Sequence, residues 1–209
     1  MSKTKTRILN TSLQVFNEIG YPQASLDKLA ATLEMSKGNL AYHFANPGKI
    51  LEALYQEMYQ MMEGKVWPGG LPELQHYQAI ISHTYQFQYR YRFFFLDTSE
   101  IMRRHPEIAA LHAQTIAKRW QEATALIRYF VGAGWVISEP YTGAYQDIAQ
   151  SVWSLNTFWF QRQMILNKPI EPTVPRELLD QAWGLIFPWL TEQGKKIAHP
   201  YFLPKSQKS

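Results

Sequence analysis

The sequence predicts an all-α fold, and three observations predict it. Apolar residues recur at three- and four-residue intervals, and nothing alternates with period two for long. Residues that favour helix starts stand ahead of the periodic segments, at Ser25, Ser36 and Asn46-Pro47. Proline and glycine gather at a few places between long segments, the punctuation of a helical bundle.

The elements follow in order. A first helix over Thr4 to Ile19 carries Ile8, Leu9, Leu13, Val15 and Phe16 on its apolar side, and Gly20 is placed to end it. Ser25 caps a short helix, Leu26 to Leu33, and Ser36 caps a second, Lys37 to Phe44. Asn46-Pro47 opens a long helix to Glu63, and Trp67-Pro68-Gly69-Gly70-Leu71-Pro72 is a break. Further helices are expected over 72–91, 93–104, 106–131, 142–167 and 175–197, the last kinked by Pro188.

Charge and aromatic content divide the chain. Residues 1–50 carry six cations and three anions, and residues 195–209 carry four lysines and no acid, so a net −3 is left for the span between. Twenty-six of the thirty aromatic residues follow residue 50. A basic head suggests an anionic polymer as partner, and an aromatic body suggests a roomy apolar core or pocket. The absence of cysteine excludes disulfides, thiolate metal sites and a cysteine nucleophile, and fits a reducing cytoplasm. The uncharged stretch Ile148 to Gln161 is fourteen residues, against the roughly 20 that a membrane span needs, so no membrane partner is expected. No apolar run of signal-peptide length follows the basic start.

Residues 25–44, SLDKLAATLEMSKGNLAYHF, have helix-turn-helix spacing. Leu26, Leu29, Ala30 and Leu33 form the inner face of the first helix, and Ala30 is small where the helices cross. Met35 plugs the turn. Leu40 and Phe44, four apart, anchor the second helix inward and leave Lys37, Asn39, Tyr42 and His43 pointing out. Such a helix fits the DNA major groove, where Lys and Asn hydrogen-bond base edges or phosphates. The helix starts at Ser25 and Ser36 offer backbone N–H groups to phosphates. Two short helices serving only as packing are the alternative at this point.

Residues 8–54 closely resemble the DNA-binding head of the tetracycline-repressor (TetR) family. The resemblance rests on Phe16, Gly20-Tyr21, Ser25, Leu29-Ala30, Met35-Ser36-Lys37-Gly38 and Leu40-x-Tyr42-His43-Phe44, all in register. The family usually has a phosphate-contacting lysine three residues after the final Phe; here Pro47 occupies that position and Lys49 follows two residues later. The resemblance implies a DNA-binding head over 1–46 that uses Ser25, Ser36, Lys37, Gly38, Asn39, Tyr42, His43 and Lys49. Helix four, 47–63, connects it to a ligand-binding and dimerisation domain within 47–209. It further implies a homodimer on a double-stranded DNA operator and release by a small-molecule inducer.

In the body, positions 116, 120, 123, 127 and 130 make a core stripe. In the helix at 142–167, Ile148, Val152, Leu155 and Trp159 form one stripe while Trp153, Phe160 and Met164 lie off it, so a second apolar face is expected for a partner subunit. A pocket lined by aromatic and Met side chains would favour a flat or greasy molecule. Its expected residues are Tyr59, Met62, Tyr85, Tyr89, Met102 and Trp120, with His83, His112 and Asn156 as polar groups should they turn inward. His76 and His83 are seven apart, as are His105 and His112, a spacing that does not by itself converge ligands on a metal. No metal or cofactor is expected. The sequence has no nucleophile elbow, phosphate-cradling glycine loop or zinc-protease helix, and a regulator rather than an enzyme is expected. The alternative is an enzyme or ligand carrier in which the helix-turn-helix is only packing; its mark would be a convergent polar site in the body.

Overall fold

A computed structural model of the chain describes residues 2–62 and 71–202. Among the described residues there are twelve α-helices and no strand, only an isolated antiparallel bridge between Val136 and Leu190. The helices are α1 (Lys3–Ile19), α2 (Leu26–Thr32), α3 (Lys37–His43), α4 (Pro47–Met62), α5 (His76–Arg90) and α6 (Arg92–Leu96). They continue with α7 (Thr98–Arg104), α8 (Pro106–Gly132), α9 (Ala144–Thr157), α10 (Trp159–Ile165), α11 (Arg176–Ile186) and α12 (Glu192–Ala198). The described residues form two compact units, one drawn from Met1–Gly64 and Tyr91–Thr115, the other from Lys65–Arg90 and Ile116–Ser209.

In the first unit, Ile8, Leu9, Leu13, Val15 and Phe16 of α1 are buried. Gly20 ends the helix with φ +79°, in the left-handed region that glycine enters at little cost, and its N–H donates to the Phe16 carbonyl. The chain leaving α1 is then tied to α6, α7 and the start of α8. Asn17 Oδ1 accepts the Phe93 N–H at 3.1 Å, and Asp97 Oδ2 accepts the Tyr21 N–H at 2.9 Å. The Tyr21 hydroxyl lies 2.7 Å from His105 Nε2. Phe16 meets Tyr21 and Phe93 edge-on, with ring centroids 5.4 and 5.2 Å apart. Burial raises the Asp97 pKa, while its bond from the Tyr21 N–H opposes the shift.

In the second unit, α11 packs on α5 and α9. Leu74, Phe130, Val136, Trp183, Leu190 and Ala198 make one buried cluster. The Val136–Leu190 bridge is flanked by hydrogen bonds from Ile137 N to Trp189 O, 2.8 Å, and from Thr191 N to Trp135 O, 3.0 Å.

Several boundaries depart from the sequence reading. The helix expected over 142–167 is α9 and α10, separated by Phe158. The helix expected over 175–197 is α11, a 3₁₀ turn at Phe187–Trp189 and α12. Pro188 ends the helix instead of kinking it, because the missing N–H arrives where Thr191 can start a new helix by accepting the Gly194 N–H at 3.1 Å. The helix expected over 93–104 is α6 and α7, and their junction frees the Asp97 carboxylate to reach Tyr21. The expected 72–91 helix begins at His76. The expected end at Glu63 and the break at 67–70 lie outside the described residues.

Candidate DNA interface and ligand cavity

The geometry of the head follows from two serine caps and a buried apolar seam. Ser25 Oγ accepts the Lys28 N–H at 3.2 Å and Ser36 Oγ the Asn39 N–H at 3.1 Å, so both short helices start at fixed points. Leu29, Ala30, Leu33 and Leu40 are buried. Glu34 turns the chain between the helices with φ +52°, and the Met35 N–H donates to the Ala30 carbonyl at 3.0 Å. With Leu40 held inside, Lys37, Gly38 and Asn39 are exposed at the start of α3, and Tyr42 is 85% exposed. His43 is half-buried with its ring edge-on to Tyr42, centroids 5.3 Å apart. A Cβ at Gly38 would have no neighbour within 4 Å, so the backbone there forms open surface.

Two of these groups carry acidic partners. Lys37 Nζ lies 2.9 Å from Asp27 Oδ2, across the turn from α2. Lys49 Nζ lies 2.8 Å from Glu52 Oε2, which holds the ammonium pKa above its usual value. Both pairs are solvent-exposed, a class worth about 0–1 kcal/mol, so exchange of either carboxylate for a phosphate is inexpensive. Asn46 Oδ1 accepts the Lys49 N–H at 3.0 Å and caps α4 just ahead of Pro47.

The expected pocket residues do not form one set. Tyr59, Met62, Met102 and His112 belong to the first unit, and His83, Tyr85, Tyr89, Trp120 and Asn156 to the second. His83 is a correction. The buried face of α5 is Ile81, Tyr85 and Gln88, so a side chain two residues from Ile81 falls on the opposite side, and His83 is exposed. Tyr59, Met62, Tyr89 and Met102 are half-buried. His112 pairs with Tyr55, whose hydroxyl is 3.1 Å from Nδ1, and its ring is 5.2 Å from that of Phe94. Burial pushes Tyr55 up to about 12 and His112 down to about 4, so both are neutral at pH 7. Tyr85 donates to the Glu171 carbonyl at 2.5 Å. Asn156 is buried and donates to the Val152 carbonyl at 2.8 Å.

The second unit holds an apolar cavity of about 150 Å³. Tyr77, Ile80 and Ile81 of α5, Ala123, Leu126, Ile127 and Phe130 of α8, and Ile148, Ala149 and Val152 of α9 wall it, with Trp189 and Leu190 at the C-terminal side. None of the nine expected pocket residues lines it. Its walls lie on the stripes that mark a helix's core face, which gives a pocket wall and a packed core the same sequence pattern. The second apolar face expected of Trp153, Phe160 and Met164 is also redrawn. Phe160 is fully buried against Tyr85, ring centroids 5.2 Å apart, and Trp153 packs on Trp120 at 5.4 Å. Met164 is exposed as expected, and Phe158, Ile165 and Leu166 are exposed near it in sequence.

Among the described residues no three His, Asp or Glu side chains converge in a metal-binding group, and no helix is long and apolar enough to cross a membrane.

Comparison with known proteins accords with this geometry. Residues 8–54 match the family described as bacterial regulatory proteins, tetR family, and residues 51–197 match the TetR family described as bacterial transcriptional repressor. A TetR-family transcriptional regulator from Marinobacter aquaeolei VT8 is 22% identical, with 97% of this chain and 100% of that chain covered and a TM-score of 0.83. A regulator from Saccharomonospora viridis in complex with choline is 14% identical, with 92% and 100% covered and a TM-score of 0.71. The SmeT–triclosan complex is 14% identical, with 100% and 98% covered and a TM-score of 0.63. At these identities the likeness is one of fold. Among curated protein sequences, none matches this chain.

Proposed function

The chain belongs to the tetR family of bacterial regulatory proteins, and on that premise we propose that it is a homodimeric repressor released from its operator by a small apolar or aromatic molecule. The observation that carries the DNA half of this reading is the exposed face of α3: Lys37, Asn39 and Tyr42 face solvent while Leu40 locks the helix from behind. Asn39 offers a donor and an acceptor side by side, the arrangement that reads adenine in the major groove, and Lys37 reaches guanine or phosphate. Tyr42, His43 and Lys49 hold phosphates, and the capped starts of α2 and α3 at Ser25 and Ser36 add backbone N–H groups.

The exposed Phe158, Met164, Ile165 and Leu166 support pairing with a second copy. The cavity supports a small effector, as do relatives solved with triclosan or choline. The ligand acts by binding the free dimer more tightly than the DNA-bound one, and DNA must then weaken ligand binding by the same factor. The protein works where its operator is, in the cytoplasm.

Selection of bound sequences from random duplex DNA tests the reading, and two half-sites about 34 Å apart, or a multiple of it, are expected. Light scattering should return twice the 24.4 kDa chain mass. Asn39→Ala should cost about 1–3 kcal/mol of DNA affinity and relax sequence preference. Lys49→Ala should weaken all sequences alike and reduce the salt slope by about one unit. If Lys49→Ala alters preference and Asn39→Ala does not, the roles assigned to these residues are reversed.

A further inference from the structure

The unit that holds the apolar cavity also encloses polar side-chain atoms that have no partners. Five enclosed side-chain atoms of the second unit lack a hydrogen-bond partner: Gln88 Oε1, Trp120 Nε1, Asn156 Oδ1, Trp159 Nε1 and Gln163 Nε2. Gln88, Asn156, Trp159 and Gln163 are each at least 95% buried. Orphaned atoms of this kind are uncommon, because an enclosed polar group without a partner costs about 1–3 kcal/mol. Five in one unit therefore point to something that they bind.

Their places on the helices are related to the cavity wall. On α5, α8 and α9 the cavity wall includes Ile81, Ala123 and Val152. One turn beyond Ile81 on the same face is Tyr85, followed by Gln88; one turn from Ala123 is Trp120; one turn beyond Val152 is Asn156. Gln163 is two turns past Asn156, and the Phe160 between them packs on Tyr85 with ring centroids 5.2 Å apart. The helical phase carries across Phe158, whose N–H donates to the Ser154 carbonyl and whose carbonyl accepts the Arg162 N–H. Helical register thus sets Gln88, Trp120 and Asn156 one to two turns beyond the carbon-lined residues of their own helices, with Trp159 and Gln163 following Asn156.

We propose that these polar groups and the apolar cavity form one site for a neutral amphipathic molecule, with an apolar body beside Ile81, Ala123 and Val152 and an uncharged head group that both donates and accepts hydrogen bonds. The two indole N–H groups and the Gln163 amide donate to a carbonyl or hydroxyl oxygen. Asn156 Oδ1 and Gln88 Oε1 accept from an amide or hydroxyl hydrogen. The five groups are all uncharged. The nearby guanidinium of Arg162 is already committed, 4.9 Å from the Trp159 ring centroid and 2.8 Å from Glu177 Oε1. An ionised head would lose its hydration here without a counter-charge. This assignment deepens the regulator reading by naming the ligand class.

Calorimetry with the full chain and four molecules of one shape tests it: benzamide, cumene, benzoate and benzamidinium. Benzamide should bind at least about tenfold more tightly than each of the others, since a site that must satisfy polar groups rejects the analogue without them. Asn156→Leu and Gln163→Leu should each shrink the preference for benzamide over cumene, and Trp159→Phe, which removes one N–H and keeps the ring, should do so without loss of fold. Equal binding of benzamide and cumene would mean that the polar atoms hold only water, and would overturn the proposal. So would tighter binding of either ion, or a preference unchanged in all three variants, or no binding of any of the four. Operator DNA is absent from this experiment, so its failure leaves the regulator reading standing, and failure to bind DNA leaves this site standing.

Discussion

Acidification from pH 7 to pH 4 should remove about 3 kcal/mol more folding stability from the wild-type chain than from His112→Gln. The imidazole is held down to about 4 by burial beside Tyr55 and Phe94, against 6.5 when free. Between those values the unfolded chain binds a proton at this residue and the folded chain does not. Stability therefore falls as pH drops through 6.5 toward 4, and the loss from this group is complete below the lower value. Gln can still hydrogen-bond the Tyr55 hydroxyl but cannot be protonated in this range. Urea denaturation of both proteins from pH 7 to 4 measures the difference, and parallel pH profiles would show that the ring is not sheltered as described.

Trp183→Ala should cost about 3–5 kcal/mol and lower the melting temperature by on the order of 10 °C. The ring is fully buried, meets Tyr77 edge-on with centroids 5.0 Å apart and stacks on Tyr201 at 5.9 Å. Its Nε1–H is 3.4 Å from Gln78 Oε1. Its cluster includes Leu74, Phe130, Val136 and Leu190, which also line the cavity, so ligand binding should fall together with stability. Trp183→Phe retains most of the area and should lose less. Thermal unfolding separates the two variants, and a Trp183→Ala protein that melts with the wild type would remove this ring from the core.

The exposed face of α3 was legible because local rules determine it. Ser25 and Ser36 cap the short helices as their residue types predict, and burial of Leu40 makes Lys37, Asn39 and Tyr42 point out. The partner of Lys37 was harder to read. Asp27 lies ten residues from Lys37 on another helix, and no period links positions across a turn. The break at Phe158 was hidden because neither Gly nor Pro marks it. Phe160 was expected on an outer face and is buried against Tyr85, since helical phase does not say which faces of a helix its neighbours cover. The apolar cavity was the least legible part. Ile127 and Phe130 were read as core, and whether such a stripe meets other side chains or an empty space depends on packing that sequence period does not encode.

The ties around Tyr21 limit how this protein can be re-engineered. A graft of residues 1–46, or of 1–62, onto another regulator's body would be cut from groups that complete it. Phe16 would lose the Phe93 ring, Asn17 the N–H it accepts, and Tyr21 both Asp97 and His105. The helix-turn-helix part is thus not a transplantable cassette: the compact unit to which it belongs includes residues 91–115, a segment remote in sequence. On the proposed reading, operator preference is better exchanged one side chain at a time on α3, where Lys37, Gly38 and Asn39 are exposed and the framework beneath them stays intact.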